Sequence, residues 1–117
     1  MSDKIKTGST GENLAAAFLA ERGFEIVARN FRFHRGEIDL IVRRDDWLVF
    51  VEVKTRTSVV FAQPEEHVTI QKARKIYEVA EEFIYRIDWR GHVRFDVISV
   101  ILGDVPEITQ FEDAINL

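Results

Sequence analysis

A mixed-sheet α/β domain, in the order α-β-β-β-α-β, is the fold class this sequence predicts. Two segments, 9–23 and 69–87, repeat apolar residues at helical intervals and are bounded by capping residues. Between and after them lie apolar runs of strand length, punctuated by short charged clusters. Strands and helices therefore interleave, which places helices against a sheet rather than in a separate bundle.

The chain starts with a polar stretch, residues 1–8, which reads as a flexible lead-in. Ser9-Thr10-Gly11-Glu12 matches a capping box, with Ser9 as N-cap and Glu12 three residues on. Leu14, Ala17, Phe18 and Leu19 then give a helix an apolar face, and Gly23 is its expected C-cap. Phe24 to Phe33 alternates as a strand, and its tail, Arg29-Asn30-Phe31-Arg32-Phe33-His34-Arg35, interleaves aromatics with cations and holds no acid. Gly36–Val42 and Trp47–Lys54 are two further strands, joined by Arg43-Arg44-Asp45-Asp46. The second of them is apolar on both faces from Trp47 to Val51, as an internal strand should be. Thr55 to Glu66 reads as a loop. Thr69 caps a helix from Ile70 to Ile87, in which Lys72, Arg74 and Lys75 crowd the first turns against the helix dipole and suggest an anionic neighbour. Val93–Leu102 is a strand, and Pro106–Phe111 a short edge strand.

Composition narrows the class of function. At 117 residues, 46% hydrophobic and 31% charged, the chain is one domain with a core of its own. No run of eighteen apolar residues occurs and the N-terminus is polar, so no membrane partner is expected and a cytoplasmic location is. The absence of cysteine excludes disulfides and thiolate metal sites. The net charge of −4 weighs against a nucleic-acid binder. Its distribution softens that objection, because the acidic C-terminal extension, 103–117, has no Lys or Arg while residues 1–101 hold sixteen charges of each sign. No GxxxxGK[ST] or GxGxxG occurs, so no nucleotide cofactor is expected. His34, His67 and His92 lack zinc-ligand spacing, and no serine sits in a nucleophile elbow.

What remains is Asp39, then Glu52-Val53-Lys54, carrying charge where buried strands should not. A hairpin centred between Asp45 and Asp46 opposes residues whose numbers sum to 91, which sets Asp39 across from Glu52 and Glu37 across from Lys54 on one face. A four-residue loop is expected, since Asp-Asp is a weak two-residue turn. Opposed like charges cost a sheet a few tenths to ~1 kcal/mol, and burial adds to that. Lys54 or a divalent cation would offset the cost. Phosphodiester hydrolysis uses this arrangement: two carboxylates, with the Val53 carbonyl as a third oxygen, suit Mg²⁺ or Mn²⁺, and a lysine beside them can stabilise charge on phosphorus.

The blocks Gly11-Glu12-x-x-Ala15, Arg29-Asn30-x-Arg32, Gly36-Glu37-Ile38-Asp39-Leu40-Ile41, Phe50-Val51-Glu52-Val53-Lys54-x-Arg56, Lys72 and Arg94-Phe95-Asp96 resemble the YraN-type family of uncharacterised bacterial proteins, from about Gly11 to Val100. That family is similar in pattern to the PD-(D/E)xK, restriction-endonuclease-like superfamily, nearest to Holliday-junction resolvases. The resemblance implies a restriction-endonuclease-like fold, Asp39 and Glu52 as metal ligands, Lys54 as catalytic and Glu12 completing the acidic cluster. Ile38 stands where the superfamily's namesake proline would precede the aspartate. The reading is a metal-dependent endonuclease on DNA, branched DNA included, with Arg29, Arg32, Arg35, Arg56 and Lys72 on phosphates. Two-fold junctions need two sites, which makes a homodimer the expected state. The alternative is a nucleic-acid-binding module that keeps the fold without turnover.

Each residue also has a plainer role. Glu12 would only complete the capping box, Glu37 would pair with Lys54, and Asp96 with Arg94. Arg29–Arg35 would be a solvated edge with Phe31 and Phe33 in the core, Lys72 a surface cation, and Trp47 and Trp89 packing residues.

Overall fold

In a computed structural model, which describes residues 3–57 and 68–116, the chain forms α1 (Asp3–Glu21), β1 (Glu25–Phe33), β2 (Gly36–Arg44), β3 (Trp47–Arg56), α2 (Ile70–Ile87), β4 (His92–Ile101) and β5 (Glu107–Phe111). The five strands make one sheet in the order β1-β2-β3-β4-β5, antiparallel except for the parallel pair β3–β4. This is the expected mixed-sheet α/β fold, with the edge strand over 106–111 realised as β5.

Three layers result because each helix buries one apolar stripe on one side of the sheet. Ala73, Ile76, Val79, Ala80 and Phe83 of α2 pack over Ile41, Leu48, Phe50 and Val97. Ala15 and Leu19 of α1 pack over Leu40, Val42, Val49, Val51, Ile98 and Val100 on the other side. β3 is thus covered twice, which accounts for its unbroken burial from Leu48 to Glu52. Phe31 and Phe33 join the α2-side core, with the Phe31 and Phe83 rings edge to face at 5.0 Å. No described helix is long and apolar enough to cross a membrane.

The helix ends show which local signals hold. The Thr69 hydroxyl accepts the Lys72 amide at 3.1 Å and starts α2 as expected. Gly23, at φ +86, closes α1, while the Phe24 amide reaches the Leu19 carbonyl at 3.0 Å. The capping box does not form: α1 begins at Asp3 and runs through Ser9, so residues 3–8 are helix rather than a lead-in. Helical continuation upstream removes the free amides a cap would serve.

Two further expectations are corrected. The β2–β3 connection is the two-residue turn Asp45-Asp46, with Asp45 in the left-handed region at φ 54, a conformation that Asp tolerates better than most residues. Thr55 and Arg56 extend β3 instead of opening a loop, and 58–67 lies outside the described residues.

The C-terminal segment is no extension. β5 pairs with β4, Ile115 is buried, and the Tyr77 hydroxyl donates to the Ile115 carbonyl. Asp96 fastens it. This carboxylate, fully buried, accepts both Arg94 Nε and Nη2 at 2.9 Å, Gln110 Nε2 at 2.9 Å and the Asp113 amide at 3.0 Å. The Arg94–Asp96 pair is therefore structural, and its bonds hold β5 and the turn after it. Removing one partner of a buried pair leaves an uncompensated charge and costs ~3–5 kcal/mol. Asp96→Ala is expected to lose stability on that scale in urea unfolding; a loss under ~1 kcal/mol, the scale of an exposed ion pair, would contradict this role.

Candidate carboxylate–lysine site

The hairpin register puts the site together. Leu40 pairs with Val51 and Arg44 with Trp47, so the numbers sum to 91 as expected. Asp39 and Glu52 follow next along the two strands, and their carboxyls are in hydrogen-bonding contact. Asp39 Oδ2 also accepts the Val53 amide at 2.7 Å. Val53 thus enters the site through its N–H, and the role expected of its carbonyl remains a proposal. Glu52 is buried at 7% exposure, because it continues the doubly covered strand.

α2 supplies the cation. Lys72 Nζ lies 2.6 Å from Glu52 Oε2. The approach is a close ion pair, in which Lys72 compensates the charge of this buried carboxylate and draws its proton affinity down. Lys72 is therefore a member of the site rather than a plain surface cation. The crowding of cations at the start of α2 had its anion on β3.

Two glycines let the helices come this close. A Cβ on Gly36 would meet Val79 Cγ2 at 2.5 Å and the Lys75 carbonyl at 3.0 Å, so only glycine lets α2 settle over the start of β2. A Cβ on Gly11 would collide with the Thr55 side chain, so glycine is what lets α1 approach the end of β3.

Glu12 follows Gly11 but does not complete a three-acid cluster. Its Oε1 accepts Asn30 Nδ2 at 2.9 Å, and among the described residues no three acidic or histidine side chains converge on one point. Its charge reaches Asp39 from a distance. Glu37 does not pair with Lys54. It takes Arg32 at 3.4 Å and Asn30 at 3.2 Å, since the left-handed Asn30 (φ 51) bridges Glu12 and Glu37. Of the five expected phosphate contacts, Arg35 and Lys72 line a cleft of about 360 Å³ together with Asp39, Glu52, Lys75 and Gln71. Arg29 on β1 is bonded to Asn13 at 2.7 Å, and Arg32 to Glu37. Arg56 ends β3 and acts on Lys54 by charge. Asn30 and Lys75 are members that sequence reasoning passed over, although Asn30 stood inside the Arg29-Asn30-x-Arg32 block and Lys75 in the cation cluster of α2.

The electrostatics express crowding. Burial, then the hydrogen bond and charge of Glu52, push the Asp39 carboxyl up to about 9, against a weaker pull from the Val53 amide. Burial also pushes Glu52 upward, but the Asp39 hydrogen bond, Lys72 and Lys54 outweigh it and hold Glu52 below the usual carboxylate range. The two carboxyls titrate as a coupled pair, with Asp39 raised and Glu52 lowered. Burial and the charge of Lys72 lower Lys54, opposed by Glu52.

Fold and site together define a three-layer α/β domain with a carboxylate–lysine centre on two inner strands. The chain belongs to the family described as Uncharacterised protein family UPF0102, whose model matches residues 11–100. It is 46% identical over 109 residues to a UPF0102 protein of Rhodococcus jostii, covering 92% of each chain. It is 41% identical over 104 residues to one from Cytophaga hutchinsonii, covering 89% of this chain and 92% of the relative. The relative from Anaeromyxobacter dehalogenans is 45% identical over 117 residues, covering 93% of this chain and 83% of its own.

A pH dependence follows. Asp39 is raised from 3.8 to about 9, so the folded protein keeps a proton that the unfolded chain releases. That stability is full below the unfolded value and is lost as pH rises toward the folded one. Glu52, with a lowered value, contributes in the opposite sense, but only at pH below its usual 4.5. Between pH 5 and 9 Asp39 decides. The metal-free protein is expected to melt at progressively lower temperature across that window, and Asp39→Asn to flatten the slope. Identical slopes in thermal melts of the two proteins would refute the raised proton affinity of Asp39.

Proposed function

We propose that this protein is a metal-dependent endonuclease acting on DNA phosphodiester bonds. The observation that carries the reading is the contact between the half-buried Asp39 and the buried Glu52, with Lys54 two residues beyond. As structure alone the cluster is costly: it buries Glu52 and half-buries Asp39 against it. As a site it is a purposeful one.

The donor set fits the cation. Mg²⁺ and Mn²⁺ take hard oxygen ligands, and Mg²⁺ commonly uses only one or two carboxylates, with water and substrate phosphates completing the shell. Asp39, Glu52 and the Val53 carbonyl would hold it. When bound, such an ion polarises the phosphate and acidifies a water. The protein's own groups do the remainder. The Val53 amide fixes the orientation of Asp39. Lys54, within electrostatic reach of Asp39 and Glu52, would offer its ammonium to negative charge developing on phosphorus, and its lowered proton affinity is the direction needed for exchanging a proton with a water. Arg35 and Lys75 line the cleft as phosphate partners. Branched DNA is the proposed substrate class within this reading, and a homodimer would supply the second site a junction needs.

One contact favours the second reading, a nucleic-acid-binding module without turnover: Lys72 already supplies Glu52 with a positive charge. Cleavage of linear, flapped and four-way-junction DNA with Mn²⁺ separates the two. Glu52→Ala and Lys54→Ala are each expected to lower the rate by ~10²-fold or more, and chelation to abolish it. Cleavage unchanged in both variants would rule out this site, and no cleavage of any substrate would favour the binding module.

A further inference from the structure

Lys72 pairs with one anion of the protein and also faces the open cleft. It lies at N3 of α2, two residues after the helix start, with its ammonium 2.6 Å from Glu52 Oε2. Glu52 is buried, while the Lys72 side chain keeps 46% exposure and lines the open cleft with Arg35, Gln71 and Lys75. A cation needed only to neutralise Glu52 would be expected to be buried with it. This one is tethered from the solvent side, on a long side chain with free rotation about its stem.

We infer that Lys72 is a displaceable stand-in for the divalent cation: it charge-pairs Glu52 when no metal is present and yields that oxygen when a metal arrives, turning its ammonium to a phosphate in the cleft. The inference rests on the metal-dependent reading above and adds an order to it. A divalent ion must compete with Lys72 for Glu52, so the intrinsic metal affinity of the free protein is held down. Once displaced, the ammonium is released toward the cleft that Arg35 and Lys75 already line, and a phosphodiester there favours the displaced position. Metal and phosphate binding are then coupled with positive sign, and by linkage the coupling is reciprocal. The free protein would hold its metal weakly and gain it with substrate.

The test is calorimetry of Mn²⁺ binding to wild type, Lys72→Met and Lys75→Met. Removing any cation near a metal site tightens binding somewhat, so Lys75, which lines the same cleft without contacting Glu52, sets the size of that general effect. Lys72→Met is expected to bind Mn²⁺ at least fivefold more tightly than Lys75→Met, and Lys72→Gln to follow Lys72→Met. Equal affinities for the Lys72 and Lys75 variants, or weaker binding on loss of Lys72, would overturn the displacement. Mn²⁺ binding to Lys72→Met but not to wild type would support it in its strongest form. Absence of Mn²⁺ binding to all three would overturn it together with the metal-dependent reading; wild-type binding that Lys72→Met leaves unchanged would overturn it alone. The second arm measures a labelled DNA duplex by anisotropy with and without Ca²⁺. Wild type is expected to gain severalfold affinity with Ca²⁺ and Lys72→Met to lose most of that gain. A full Ca²⁺ gain in Lys72→Met would overturn the coupling.

Discussion

Two carboxylates held against each other on neighbouring strands, one buried and one half-buried, set the terms for the rest of this protein. Asp39 and Glu52 meet because the two-residue turn at Asp45-Asp46 fixes the β2–β3 register, and a slip of one residue would send one of them to the opposite face. Their burial follows from β3 being internal, with α1 and α2 on either side. Coupled protonation and a nearby ammonium are what the molecule offers against their repulsion.

The surrounding architecture can be understood as what brings cations to that face. Glycine at 36 lets α2 lie close over β2, and the Thr69 cap starts the helix so that Lys72 and Lys75, one turn apart, lie over the acids. Glycine at 11 brings α1 to β3 and fixes Glu12 near Asn30. Away from the site the logic is the reverse. Asp96 is more deeply buried than Asp39, yet four hydrogen bonds satisfy it and it is tied to holding the C-terminal strand. The contrast between a satisfied buried aspartate and a crowded one separates framework from candidate site within one sheet.

Membership of UPF0102 covers residues 11–100, a span that includes Gly11, Glu12, Asn30, Gly36, Asp39, Glu52, Lys54, Lys72 and Asp96. β5 and Ile115 lie beyond it, although they complete the sheet and the α2-side core. The acidic character of 103–117 therefore says little about its place in the fold: Glu107, Glu112 and Asp113 are exposed, while Ile108, Phe111 and Ile115 turn inward between them.

The sequence by itself determined the strands, the second helix, and the pairing of Asp39 with Glu52. Alternation and the hairpin sum are local, and a period of two leaves no freedom once one face is apolar. It pointed to an anion near the start of α2 through uncompensated cations, without saying which. Only the tertiary structure decided that the anion is Glu52, because α2 is docked by packing with β1 and β2, a long-range event. It likewise decided that Ser9 caps nothing, since helix continues upstream, and that Glu37 turns to Arg32 and Asn30. Local chemistry fixes which groups face the same way; which of them touch depends on how the layers close.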